Sequence, residues 1–284
     1  AIGAPINIWN DHSDAMSQRD SGWIQLYAQD NQAASDLHVL AFKLAELVSL
    51  PVMVCMDGFV LTHAMEQIDV AEAEQTDAFL KAFVPVQQLD VEHPLSIGAM
   101  VGPEAFTEVR YLAHKKQQEA LAALPGLSDE FEKVFGRRAA GANDSMGLLT
   151  KYHLEGAETV VIALGATIGT IEDVVDEMNA EGNHIGVLGI TAFRPFPAAA
   201  IREALSGAKR VVVFERALAA GIGGVIYPEI QAALAGLDYE SYNVVGGLGG
   251  RPITRKSLRE MVESAMKGEL KPFSFLDLKK EMIK

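Results

Sequence analysis

A single cysteine, Cys55, stands among 284 residues. It has no partner for an internal disulfide, so a reducing compartment, the cytoplasm, is the expected setting. One thiol is also too few to hold an iron–sulfur cluster or a cysteine-built zinc site, so any redox metal is expected on another chain and no metal ligand is assigned here. Cys55 lies inside the apolar run Pro51–Met56, where burial favours the inert thiol over the reactive thiolate. Positive charge is scarce as well: Lys and Arg total 24 against 38 Asp and Glu, a net charge of −14. A chain of that sign repels a phosphate backbone, which argues against nucleic acid as a partner. No apolar run approaches the roughly 18 residues that a membrane helix needs, so no membrane is expected either. The first residues, Ala1–Pro5, lack an initiator Met and the basic region of a signal peptide, and the chain reads as N-terminally incomplete.

What is present is ample core. Hydrophobic residues make up 49% and charged residues 22%, with a mean hydropathy of +0.13, which suits two ordinary α/β domains. In the first block, Trp23–Tyr27 alternates as a strand does. Asp30 or Asn31 then caps a helix running to Leu50, with Leu37, Leu40, Ala41, Leu44 and Leu47 or Val48 on one face. Pro51 stops that helix and Val52–Met56 reads as a buried strand. The second block is less regular, with a helix expected over Glu104–Leu124 and ended by Pro125-Gly126. Arg137–Asp144 reads as a linker. The third block alternates most clearly: strands at Thr159–Leu164, Ile185–Thr191, Arg210–Phe214 and Tyr242–Val245, and helices at Ile171–Asn179, Ala198–Ser206, Gly224–Ala235 and Arg255–Lys267. That alternation implies a mostly parallel sheet with right-handed crossovers. The expected divisions are residues 1–88, a helical connector over 89–155, and an α/β domain over 156–284.

The densest polar cluster is Asn10-Asp11-His12-Ser13-Asp14, with Gln18-Arg19-Asp20 and Trp23 close behind. It is expected in a loop between Ile8 and the first strand, and loops at strand ends are where open α/β sheets place ligands. Two carboxylates, an imidazole and a guanidinium could do acid–base work. By themselves they fit a hydrogen-bonded surface loop better. Gly165–Gly169 and Gly221–Val225 each look like part of a dinucleotide loop, but neither completes G-x-G-x-x-G, and tight helix-on-strand packing explains them more simply.

The run Ala4–Tyr27, Pro51–Phe59 with Leu61-Thr62-His63, Phe193–Pro197, and Gly246–Arg251 together resemble the alpha subunit of pyruvate:ferredoxin oxidoreductases, in collinear order over nearly the whole chain. The resemblance implies part of a thiamine-diphosphate pyrimidine-type domain followed by a transketolase C-terminal-like domain. It implies an enzyme that decarboxylates pyruvate, passes electrons to ferredoxin and makes acetyl-coenzyme A, or runs in reverse. Thiamine diphosphate with Mg²⁺ would be shared with a beta subunit. Coenzyme A and 4Fe–4S clusters would sit on gamma and delta subunits, and a second copy of the chain would complete the assembly. The family's catalytic glutamate and substrate arginine precede the matched region, so no catalytic residue is assigned and the isolated chain is expected to be inactive. Asn10, Asp11, His12, Asp14, Arg19, Asp20, Asp57 and His63 are carried over as site-lining candidates, and Gly249, Gly250 and Arg251 as interface candidates. A related 2-oxoacid enzyme, or a scaffold subunit without chemistry of its own, are the alternatives.

Overall fold

A computed structural model describes residues 5–283. In chain order the elements are α1 (Ser13–Ser17), β1 (Ile24–Tyr27), α2 (Asn31–Val48), β2 (Val52–Cys55), α3 (Ala73–Phe79), α4 (Phe106–Phe135), β3 (Asp144–Ser145), β4 (Leu149–Tyr152), β5 (Thr159–Ala163) and α5 (Thr167–Ala180). They continue with β6 (Ile185–Ile190), β7 (Ala192–Arg194), α6 (Ala198–Ala204), β8 (Arg210–Glu215), α7 (Ile226–Ala233), β9 (Glu240–Val245), α8 (Arg255–Met266) and β10 (Phe273–Phe275). The strands form a three-stranded sheet ordered β2-β1-β7 and a seven-stranded sheet ordered β10-β9-β8-β5-β6-β4-β3. In the larger sheet β10, β9, β8, β5 and β6 run parallel, while β4 and β3 add an antiparallel edge.

The α2 helix begins where its chemistry says it should, with the Asp30 carboxylate accepting from the Ala33 N–H at 2.6 Å. Its buried stripe is Leu37, Leu40, Ala41, Leu44 and Val48, whereas Leu47 faces water. Two expectations need correction. The Asn10–Asp14 stretch is not all loop, because α1 starts at Ser13. The expected stop at Pro125-Gly126 also fails: α4 runs through both residues to Phe135. Proline removes one N–H and crowds the preceding turn, but Leu124, Leu127, Phe131 and Phe135 are buried beyond and around it, and Phe131 and Phe135 pack on Phe79 with ring centroids 5.4 and 5.7 Å away. Burying those side chains is worth several kcal/mol and outweighs the break.

The helices α5 and α8 cover one face of the large sheet, with Ile171, Val174, Val175, Met178, Leu258 and Val262 against Val161, Val187 and Val212. The opposite face, carrying Val160, Ile162, Val211 and Val213, shares one apolar cluster with α6, α7, the first block's Ile24, Leu26 and Leu40, and Leu124 of α4. The short strand β7 pairs antiparallel with β1, so the chain's third block supplies an edge of the first sheet. The carboxyl ends of β2, β5 and β8 consequently meet.

Candidate functional site

The strand β5 leads through α5 to β6 on one side, and the chain then crosses back to β8 on the other side of β5. The carboxyl ends of β5 and β8 therefore flank a topological switch point, the place where open α/β sheets hold ligands. Asp57, two residues past β2, is delivered to that spot and is fully buried. Its Oδ1 accepts from Asn10 Nδ2 at 2.6 Å, His12 Nε2 at 2.8 Å and Arg216 Nη1 at 2.6 Å. Its Oδ2 accepts from the Ala166 N–H at 2.5 Å. Burial by itself would raise the Asp57 pKa, yet the hydrogen bond and charge of His12, the Arg216 guanidinium and the Ala166 N–H overcome it and hold the carboxyl well below the usual carboxylate range. Backbone bonds tie the same segments together, with His12 N–H donating to the Arg216 carbonyl at 2.8 Å and Gly250 N–H to the Asn10 carbonyl at 2.7 Å.

Two glycines make this geometry possible. Gly165 turns the chain at φ +75°, and a Cβ there would lie 2.5 Å from Asp57 Oδ2 and 3.0 Å from His12 Nε2. Gly250, at φ +77°, would drive a Cβ to 2.6 Å from Trp9 Cβ.

The candidates from sequence do not share one place. Asn10, His12 and Asp57 form the buried knot. Asp11 clamps the neighbouring glycine loop: its Oδ1 accepts from Ser13 N–H and its Oδ2 from Gly249 N–H. Burial opposes this, but the two donors win and lower its pKa. Asn7 also donates to the Gly249 carbonyl, so Gly249 and Gly250 pack on the loop at residues 7–11 of their own chain, while Arg251 is exposed and donates to the Asp277 carbonyl. Arg19 and Asp20 stand elsewhere, in a cleft of about 430 Å³ with Trp23, Arg110, Arg194 and Glu229. His63 is exposed and stacks on Phe59 with ring centroids 4.4 Å apart. Sequence reasoning missed Arg216. The signal was there, since Glu215-Arg216 places two charges directly after the apolar run of β8, at a strand's carboxyl end.

A cavity of about 540 Å³ opens beside the knot, lined by Trp9, Asn10, Asp11, His12, Asp14, Tyr27, Met53, Cys55 and Met56 among others. Asp57 fixes the orientation of the His12 ring through Nε2 without lining the cavity, and the His12 Nδ1 makes no hydrogen bond among the described residues. The Tyr27 hydroxyl is likewise buried without a partner there. Its pKa is pushed well up, first by burial and then by Cys55 beside it. Burial also pushes the Cys55 thiol up to about 12, which makes it an inert wall rather than a nucleophile.

The second glycine motif is closed to phosphate. Buried Glu215 accepts from the N–H groups of Val225 and Ile226, both at 2.6 Å, from Tyr227 N–H at 3.0 Å and from Asn243 Nδ2 at 2.7 Å. A carboxylate of the chain itself thus occupies the start of α7. Burial nevertheless raises its pKa above the ordinary value.

Two family models match the chain: "Pyruvate flavodoxin/ferredoxin oxidoreductase, thiamine diP-bdg" over residues 1–124 and "Pyruvate:ferredoxin oxidoreductase core domain II" over residues 157–258. The pyruvate synthase subunit PorA of Methanosarcina barkeri is 40% identical over 100% of this chain and 71% of that protein. The subunit of the same name from Thermotoga maritima is 41% identical over 95% of this chain and 68% of its own length. The ketoisovalerate oxidoreductase subunit VorA of Pyrococcus horikoshii is 32% identical over 94% and 67%. Among solved structures, a 2-oxoglutarate:ferredoxin oxidoreductase from Magnetococcus marinus superposes with a TM-score of 0.61 at 17% identity, covering 94% of this chain and 46% of that one, a likeness of fold. With identities of this size spread collinearly over both halves, the chain belongs to the pyruvate:ferredoxin oxidoreductase family, on the side of its pyruvate synthase PorA subunits.

Proposed function

We propose that the chain is the alpha-subunit part of a pyruvate:ferredoxin oxidoreductase, working with beta, gamma and delta subunits, ferredoxin and a second copy of itself in the cytoplasm. The observation that carries this reading is the 40% identity to a pyruvate synthase subunit across the whole chain. A second observation fits membership of an assembly: Val84, Val86, Leu89, Val91 and Met100 are strongly exposed in the irregular stretch before α4, and apolar surface of that kind is ordinarily covered. The domain division proposed is residues 1–88, 89–155 and 156–284, with α3 at the end of the first piece and the whole of α4 in the middle one.

The residues at the 540 Å³ cavity suit one face of thiamine diphosphate. Its walls are aromatic and thioether, from Trp9, Tyr27, Met53 and Met56, with a few convergent polar groups, the usual make-up of a cofactor site. His12 and Tyr27 line the cavity, each with one polar atom that has no partner among the described residues. When bound, the cofactor supplies the carbanion-stabilising chemistry that decarboxylation of a 2-oxoacid requires. In this reading Asn10 and His12 orient the ring from positions fixed by Asp57, and Tyr27 and Cys55 keep the wall dry. Asp57 is not the acid–base group, because four donors consume its oxygens. Among the cavity-lining carboxylates, Asp14 is the exposed one. Mg²⁺ and the iron–sulfur clusters are proposed on partner subunits, and coenzyme A with them.

The test is reconstitution with the partner subunits, followed by ferredoxin reduction dependent on coenzyme A with pyruvate, 2-oxoisovalerate or 2-oxoglutarate. Pyruvate should give the highest kcat/KM, and the chain alone should give none. The ketoisovalerate relative keeps a branched 2-oxoacid as the second reading; a complex preferring that acid would replace the first.

A further inference from the structure

The turn Gly165–Gly169, set aside as a nucleotide loop on its sequence, opens onto a second cavity at the switch point. It measures about 210 Å³ and is lined by Trp9, Asn10, Phe59, Ala166, Thr167, Thr170, Arg216, Gly250 and Arg251 together with three apolar neighbours. Among these lining residues none is a carboxylate, although the chain carries a net charge of −14. Arg216, Arg251, Thr167, Thr170 and the start of the 14-residue helix α5 line the same space, the Ala166 N–H there already donating to Asp57. Thr167 and Arg216 are each 5% exposed, and the Arg216 Nε has no partner among the described residues. Asp57 and Asp11, the carboxylates next to these lining residues, are each held by donors of their own. Backbone N–H groups at a helix start, hydroxyls and arginine together are what a phosphate recognises.

We infer that this cavity binds a phosphate group, held by Thr167 and Thr170 at the start of α5 and by the Arg251 guanidinium, with Arg216 behind it. This goes beyond the proposed activity and does not depend on it. At 210 Å³ the cavity falls below the roughly 300 Å³ at which small-molecule sites begin, so it takes a phosphate or the phosphate end of a larger ester. Trp9 and Phe59, whose rings stack 6.2 Å apart, form the outer wall. That wall would lie against the remainder of an ester.

Titration of the full 284-residue chain with inorganic phosphate, followed by calorimetry and phosphorus NMR line width, should show saturable one-to-one binding. Thr170→Val and Arg251→Gln should each weaken it about tenfold, the loss of one charge-assisted contact. Arg255→Gln removes the same charge from a residue that pairs with Asp173 and Glu177 outside the cavity, and at physiological salt it should change binding less than about twofold. Circular dichroism checks that the variants fold, which both exposed arginines favour. ADP and coenzyme A form the second arm: affinity equal to phosphate assigns a free anion, and tighter binding that still depends on Arg251 assigns a phosphate ester. Absence of saturable binding at millimolar phosphate, or an equal loss in Arg251→Gln and Arg255→Gln, would overturn the inference.

Discussion

Replacing Asp57 with Ala should destabilise the chain by about 3–5 kcal/mol, the range for breaking a buried ion pair and leaving one charge uncompensated. The magnitude follows from the surroundings. Asp57 is 0% and Arg216 5% exposed, so neither water nor salt can take over when the carboxylate goes, and the Arg216 guanidinium, His12 Nε2, Asn10 Nδ2 and Ala166 N–H lose their acceptor together. For a chain of this size the midpoint of thermal unfolding should fall by roughly 10 °C. Urea denaturation read by fluorescence and circular dichroism gives the free energy, provided the slope is unchanged. The informative variant is the double one. Asp57→Ala combined with Arg216→Met removes the stranded charge, so it should recover about 1–3 kcal/mol relative to Asp57→Ala, a coupling that a double-mutant cycle isolates. If Asp57→Ala costs under 1 kcal/mol, or the double variant is no more stable than the single one, the knot does not hold the two sheets' ends together.

The same carboxylate sets an acid limit. Its pKa is depressed in the folded chain against about 3.9 unfolded, so its contribution is fully present above the unfolded value and is lost as pH falls through the folded one; Asp57→Asn should flatten the loss of stability below about pH 4 in acid titrations. Gly165→Ala forces a Cβ to 2.5 Å from Asp57 Oδ2 at φ +75° and should cost about 2 kcal/mol or more in urea, with the cost undiminished at high salt because it is steric. Glu215→Gln puts an amide NH₂ where only donors approach and should cost about 1–3 kcal/mol; unchanged stability would mean that the start of α7 is held by something other than Glu215.

Periodicity made the α/β architecture legible because the third block's strands are buried on both faces and its helices on one, so the apolar pattern changes period at nearly every boundary. The pattern was silent on β4 and β7. Leu149–Tyr152 alternates too briefly to stand out, and Ala192–Arg194 is three residues whose strand character comes from pairing with β1, where Leu26 lies 166 positions before its partner Ala192. Pro125 misled for the opposite reason: a strong local signal lost to burial of Phe131 and Phe135, which the local sequence does not weigh. At the site, Asn10 and His12 stood out as part of a polar cluster, and Asp57, which follows an apolar run, became a candidate only through the family resemblance. Their role was not readable, since it depends on Arg216 and Ala166, which the sheet brings in from more than a hundred residues away.

The knot explains why such a chain can be acidic overall and still build anion sites. Charge far from zero favours solubility, but it also opposes any phosphate or carboxylate that approaches. Here that opposition is undone locally. Each acidic group near the switch point is already spent on internal donors: Asp57 on Arg216, His12, Asn10 and Ala166, Asp11 on Ser13 and Gly249, and Glu215 on the start of α7. Arg251 has only a carbonyl partner among the described residues, and the Arg216 Nε has none. A site can therefore attract anions inside a negatively charged chain when its own carboxylates are buried and saturated, because the field within a few ångströms is set by the unspent donors and not by the sum over the surface.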